Sequence, residues 1–276
     1  MRKIFGQRVC LFSLFLSVFC GLANAQVAQV AEDPRLAQIV DASGFEGTFL
    51  AYELPDDRYV AGHVGRTDKA LLPASSFKIF SALVALETGV SAGEEAIIPW
   101  DGLVRSRTEL NADLDLQTAF RLSAVPHFQE LVRRVGHSRM QHFIDAVGYG
   151  NRDISGGDDT FWLEGNLRIT PRQQIAFLVR LYRDELPFRP EVMAAVKRMM
   201  VTEQTPDYVI HSKTGLTAPD GKHNVGWWVG WVERASAVTF FVTALEAQEP
   251  DGSFAPARIA LAREALTVLG VLPRQE

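Results

Sequence analysis

Asp207-Tyr208-Val209-Ile210-His211-Ser212-Lys213, Val225-Gly226-Trp227-Trp228-Val229-Gly230-Trp231-Val232 and Ala237-Val238-Thr239-Phe240-Phe241-Val242-Thr243-Ala244 are rich in β-branched and aromatic residues. Each reads as a strand. Residues 47–53 and 58–63 read as two more, around a turn at Pro55-Asp56-Asp57 near the other end of the chain. The middle is helical. A helix with Phe77, Phe80, Leu83 and Val84 on its faces closes at Gly89; residues 126–135 stop at Gly136, and residues 138–147 stop at Gly148. Thr170-Pro171-Arg172-Gln173 combines an N-cap, a first-turn proline and a capping-box glutamine, with helix continuing to about Tyr182. Residues 256–269 form a last amphipathic helix. Strands at both ends with helices between them imply an α/β (α+β) fold. One antiparallel sheet is built from both chain ends and flanked by helices, with a helical lobe inserted beside it. The groove between sheet and lobe is the natural place for an active site.

The ends and the composition bound what this chain can do. Arg2, Lys3 and Arg8 precede the apolar run of residues 9–20, and Ala23-Asn24-Ala25 follows. Residues 1–25 therefore read as a cleavable signal peptide cut near Ala25, which predicts a periplasmic or secreted product. Phe19 before Cys20 argues against a lipoprotein site. Both cysteines, Cys10 and Cys20, fall in the leader. Residues 26–276, read as a single catalytic domain, thus have no disulfide, no cysteine metal site and no cysteine nucleophile. Losing Arg2, Lys3 and Arg8 takes the formal charge from −5 to −8. With no basic tract and no further membrane-length apolar run, neither nucleic acid nor membrane is an expected partner. A monomer and a homodimer are both compatible with the sequence.

Three short motifs carry chemistry. In Ser75-Ser76-Phe77-Lys78, Pro73 breaks any earlier helix and puts Ser75 at a helix start. A spacing of three brings Lys78 under Ser75, whereas Ser76 points elsewhere. Ser75 can use its own free N–H toward an oxyanion. The apolar neighbours Phe77, Ile79 and Phe80 disfavour an ammonium, which leaves Lys78 an amine base for the hydroxyl. Alone, this pair is also compatible with a plain helix start and a solvated lysine. Lys213-Thr214-Gly215 ends a strand, where Gly215 admits a second backbone or a ligand and the lysine and hydroxyl could hold an anion. Ser123-Ala124-Val125, taken alone, reads as a helix N-cap ahead of Pro126.

The order Ser-x-x-Lys, Ser-x-Val, Lys-Thr-Gly resembles the penicillin-recognising serine enzymes. The finer text resembles class D β-lactamases from about Leu71 to Arg258. It includes Leu86-Glu87-Thr88-Gly89, Trp100-Asp101-Gly102, Tyr149-Gly150-Asn151, Phe161-Trp162-Leu163-Glu164-Gly165 and the run from Gly226 to Glu233. The resemblance implies hydrolysis of β-lactam antibiotics, and so resistance, through a Ser75 acyl-enzyme. It needs no separate cofactor, only carbon dioxide added to Lys78 as a carbamate base. Trp162 corresponds to the carbamate's hydrogen-bond donor, and Val125 and Leu163 to its apolar shield. Ser123 corresponds to a proton relay to the departing ring nitrogen, and Lys213 to a source of positive potential. Thr214, Gly215 and Arg258 correspond to the substrate-binding side. The backbone N–H groups of Ser75 and Leu216 correspond to the oxyanion hole. Two positions depart from the family: Ser76 stands where threonine is usual, and Leu216 where an aromatic is common.

Other readings fit less well. His63, His127, His137, His142, His211 and His223 form no zinc pattern, so no metal is expected. Tyr149-Gly150-Asn151 resembles a class C base motif, but Ser123 already occupies that place and the family reads it as structural. No Ser-Asp-Asn element supports class A, which leaves Glu164 non-catalytic. The alternative from another class is a β-lactam sensor that acylates without turnover; such domains hang from membrane helices. A cell-wall transpeptidase normally carries further domains.

Overall fold

The computed structural model describes residues 1, 29–235 and 237–274. The expected leader, with both cysteines, lies outside the described residues apart from Met1. Seven strands form one sheet: β1 (Val30–Glu32), β2 (Glu46–Glu53), β3 (Arg58–Gly62), and, after a short pair β4 (Ile97–Ile98) and β5 (Leu114–Asp115), β6 (Val201–Gln204), β7 (Val209–Thr217), β8 (His223–Arg234) and β9 (Ala237–Gln248). The order across the large sheet is β1-β3-β2-β9-β8-β7-β6. β2 lies against β9 from Glu46↔Glu246 to Glu53↔Thr239, so the two chain ends share one sheet, as the strand pattern implies. One part of that expectation is corrected. The sheet is not wholly antiparallel, because β1 runs parallel to β3 along the edge. At three residues, β1 is too short to show a period in the sequence.

β8 explains the sheet's burial. Val225, Trp227, Val229 and Trp231 enter the larger core, whereas Trp228 and Val232 enter the core on the opposite face. The period of two sends alternate residues to opposite faces, and a strand buried on both must be apolar throughout. Gly230 serves the same crowding, since a Cβ there would sit 2.0 Å from the His211 carbonyl oxygen.

Eight helices surround the sheet among the described residues: α1 (Pro34–Ala42), α2 (Lys78–Glu87), α3 (Leu116–Arg121), α4 (Val125–Val135), α5 (His137–Val147), α6 (Pro171–Tyr182), α7 (Pro190–Met199) and α8 (Phe254–Val268). Leu36 and Val40 of α1 and Leu261, Ala265 and Leu266 of α8 cover one face. The inserted segment between β3 and β6 covers the other, with α2 buried along nearly its whole length. α6 starts as its sequence requires, with a Thr170–Gln173 capping box and Pro171 in the first turn. α1 and α7 do not stand out from periodicity alone, although both begin at a proline.

Candidate active site

Ser75 does not sit in the α-helix itself. Residues Ala74–Phe77 form a 3₁₀ turn, and α2 begins at Lys78, so the expected helix start is displaced by three residues. Ala74 has φ 50°, left-handed backbone for a residue with a Cβ. Strain of this kind persists only where neighbours over-determine it. Here the Ala74 N–H donates to the Trp162 carbonyl at 2.9 Å, and the Ser76 hydroxyl donates to the Pro73 carbonyl at 2.7 Å. Gln174 Nε2 donates in turn to Ser76 Oγ at 2.7 Å. Trp227 Nε1 fixes the preceding residue through the Leu72 carbonyl, also at 2.7 Å. Ser76 therefore belongs to the buried framework of the turn, whereas the Ser75 hydroxyl is left to Lys78.

Lys78 is fully buried, and its Nζ donates to Ser75 Oγ at 2.8 Å. It has no carboxylate partner among the described residues; the Phe128 ring centroid lies 5.4 Å from Nζ. Burial first, then the positive charges of Lys213 and Arg107, hold this amine well below the usual lysine value. The sequence reading anticipates the burial effect; the two cations add to it.

β7 brings the second motif to the turn. A Cβ on Gly215 would lie 3.1 Å from the Pro73 carbonyl oxygen and 3.2 Å from the Ser76 nitrogen. The close approach anticipated at Gly215 is thus made by the Ser75 turn. β6 stops alongside the first half of β7: Val201 pairs with His211, and the Ser212 N–H donates to the Met200 carbonyl at 2.7 Å. In an antiparallel ladder, backbone groups alternate sides. Counting on by twos from Ser212, the N–H groups of Thr214 and Leu216 face the open edge beyond the end of β6. Leu216 is 41% exposed there.

Lys213 is buried, with Nζ donating to Ser123 Oγ at 3.0 Å and to the Thr214 carbonyl at 3.1 Å. Burial, Arg258 and Arg107 lower its pKa to about 7. Ser123 is not the N-cap of α4; Ala124 is, and it makes no side-chain cap. Ser123 instead has φ 53° and points its hydroxyl at Lys213. Arg258, on α8, donates Nε to the Ala255 carbonyl at 2.8 Å and Nη1 to the Gly215 carbonyl. Burial lowers its pKa to about 10.

Trp162 lies against the nucleophile turn, its rings 5.4 Å from Phe77 in a stacked arrangement. Its indole N–H is buried and unpartnered. A core tryptophan normally finds a partner for that group. Val125 opens α4, one turn before Phe128, and is half-buried. Leu163 is also half-buried, and its carbonyl accepts from Thr217 Oγ1 at 2.6 Å, tying the loop to β7. Tyr149-Gly150-Asn151 is structural in its geometry. Gly150 has φ 56°, and Asn151 bridges the Asn166 carbonyl and the Arg168 N–H.

Two residues of the site escape sequence reading. Arg107 donates Nη2 to the Leu122 carbonyl at 3.0 Å, next to Ser123, and its charge reaches both lysines. In sequence it is one arginine in a polar stretch, the pattern of a solvated loop. Gln174 lies on α6 with no signal beyond its place one position after the capping glutamine.

The sequence profile of the penicillin-binding protein transpeptidase domain matches residues 47–265. β-Lactamase OXA-10 of Pseudomonas aeruginosa is 39% identical over 83% of this chain and 87% of its own length. β-Lactamase OXA-48 of Klebsiella pneumoniae is 40% identical over 83% and 85%. Among solved structures, the class D β-lactamase YbXI from Nostoc is 43% identical with a TM-score of 0.82, covering 86% of this chain and 99% of that one. FUS-1 (OXA-85), a class D β-lactamase from Fusobacterium nucleatum, is 32% identical with a TM-score of 0.83, covering 87% and 99%.

Proposed function

The chain belongs to the class D β-lactamases, which are serine hydrolases, and from that premise we propose that it opens the ring of penicillin- and cephalosporin-type antibiotics through an acyl group on Ser75. The observation that carries the assignment of roles is the 2.8 Å contact between Lys78 Nζ and Ser75 Oγ in a fully buried setting. A serine hydroxyl needs a base within hydrogen-bond reach, and Lys78 is that group. The ring carbonyl oxygen would lie between the N–H groups of Ser75 and Leu216, the ring nitrogen near Ser123, and the ring carboxylate against Thr214 and Arg258. Lys213 supplies positive potential to that carboxylate and a hydrogen-bond link to Ser123.

The residues around Lys78 fit its carboxylation by carbon dioxide. Burial favours the neutral, nucleophilic amine, the unpartnered Trp162 N–H is a donor in want of an acceptor, and the Phe128 ring lies beside Nζ, where Val125 and Leu163 would complete an apolar screen. The carbamate would supply an anionic base for the Ser75 proton and later for water. No helix among the described residues is long and apolar enough to cross a membrane, and a leader at residues 1–25 would carry the product to the periplasm or out of the cell. Hydrolysis of the drug there would give resistance.

Steady-state turnover of a chromogenic cephalosporin, rising with added bicarbonate, is the expected result. Lys78→Ala should lose both acylation and deacylation. One stoichiometric burst with no later release would replace this reading with that of a sensor.

A further inference from the structure

A cavity of about 410 Å³ opens beside the site, at the sheet edge where β6 ends and β7 continues alone. It touches Ser212, Lys213 and Thr214 but not Ser75. The Ser75 turn abuts Gly215, and a strand advances about 3.4 Å per residue. The cavity therefore begins at Thr214, where the ring carboxylate is expected, and extends along β7 toward Ser212, away from the Ser75 turn. Three buried apolar side chains line part of it, Phe120 from α3, Met199 from α7 and Trp228 from β8. Its charged lining is one-sided. Lys213, Arg121, Arg198 and Arg263 face a single carboxylate, Glu203.

Those cations are not equally committed. Arg263 pairs with Glu203, and Arg198 pairs with Glu94 outside the cavity. Arg121 is exposed at the rim and makes no hydrogen bond or ion pair among the described residues. Aromatic lining from Phe120 and Trp228 together with an uncommitted guanidinium suits a planar group carrying negative charge. The volume is within the range of small-molecule sites and exceeds what a lone carboxylate needs.

We propose that this cavity is a substrate subsite that receives the substituent on the ring carbon next to the carboxylate-bearing carbon, the C3 position of a cephalosporin, and that it favours planar, anionic substituents. The inference rests on the β-lactamase reading and specifies a substrate class for it. In a cephalosporin that substituent leaves the ring beside the carboxylate. Held at Thr214 and Arg258, the carboxylate would direct it along β7 into the space below the open edge.

The test compares kcat/KM for two cephalosporins with one acyl side chain, one bearing a C3 methyl and the other a C3 carboxyphenylthio group, with benzylpenicillin as reference. Arg121→Ala should lower the anionic-to-methyl ratio by about fivefold, the scale of one solvent-facing ion pair. Val201→Trp, which places bulk at the cavity mouth from an exposed edge-strand position, should lower it further. The wild-type ratio should fall with added salt, and that measurement needs no variant to fold. Benzylpenicillin hydrolysed while the ratio stays unmoved by both variants and by salt would overturn the subsite alone. Failure of the wild-type chain to turn over benzylpenicillin and both cephalosporins would overturn the β-lactamase reading, and the subsite with it.

Discussion

Lys213 Nζ reaches Ser123 Oγ at 3.0 Å, joining residues 90 apart in sequence across the cleft between sheet and lobe. Ser123 has left-handed backbone at φ 53°, and its hydroxyl gives a buried lysine one of its few partners. In the proposed reaction, Ser123 passes a proton to the departing ring nitrogen. Ser123→Ala should therefore lower the acylation rate by about 10²-fold, the low end for loss of a positioned proton donor. Deacylation should change much less, because no ring nitrogen leaves in that step. Stopped-flow measurement of the two steps separates them; equal losses in both would assign Ser123 a merely structural part.

The unpartnered Trp162 N–H gives a second prediction. An orphaned buried donor costs free energy, so its retention points to a partner absent from the polypeptide. Trp162→Phe keeps an aromatic ring against Phe77 and removes only the donor end. The bicarbonate concentration for half-maximal activity should rise by about tenfold, the worth of one charge-assisted hydrogen bond. The thermal midpoint without bicarbonate should hold or rise. Carbon-13 NMR of the labelled carbamate would report occupancy directly.

The architecture was legible in this sequence where physics is local. Strand period, capping residues and glycine stops place β7, β8, β9 and α6 within a few residues. The parallel edge strand β1 escaped because three residues carry no period. The Ser75–Lys78 pair was visible as a spacing, but its 3₁₀ turn was not, since the strain at Ala74 is imposed by Trp162, a residue distant in sequence. Arg107 and Gln174 show the general limit. Their contacts with the site are long-range, and neither residue type nor spacing announces them.

Ser76, the departure from the usual threonine, is bonded on both sides. It donates to the Pro73 carbonyl and accepts from Gln174 Nε2, each at 2.7 Å, in a fully buried pocket that also holds the unpartnered Tyr149 hydroxyl. Ser76→Ala would strand Gln174 Nε2 and leave the Pro73 carbonyl only the backbone N–H of residue 76, a loss of about 1–3 kcal/mol. It should also release the Ala74 backbone and so reduce kcat with KM little changed. Ser76→Thr keeps the hydroxyl and should retain most activity. Denaturant unfolding of the two variants, set beside their kinetics, checks the claim; a stable Ser76→Ala of full activity would refute it.

The two buried lysines predict opposite limbs of a pH profile. Lys78 must be neutral to take up carbon dioxide, and burial together with the charges of Lys213 and Arg107 favours that form. Acid reprotonates it, so activity lost at low pH should return with bicarbonate at neutral pH. Lys213 acts as an ammonium, and its pKa of about 7 means that kcat/KM for an anionic substrate should decline as pH rises through that value. Stability should move the other way. Between about pH 7 and the ordinary lysine value of 10.5, the unfolded chain binds a proton at Lys213 that the folded chain does not. The Lys213 contribution therefore rises with pH through that window. Arg107 is one of the charges that lower Lys213, after burial and Arg258. Arg107→Ala should accordingly raise the Lys213 pKa and carry the alkaline limb to higher pH, while the acid limb shifts the same way through Lys78. Profiles of kcat/KM at constant bicarbonate for the wild type and Arg107→Ala decide it: superimposable limbs would remove Arg107 from the electrostatics of the site.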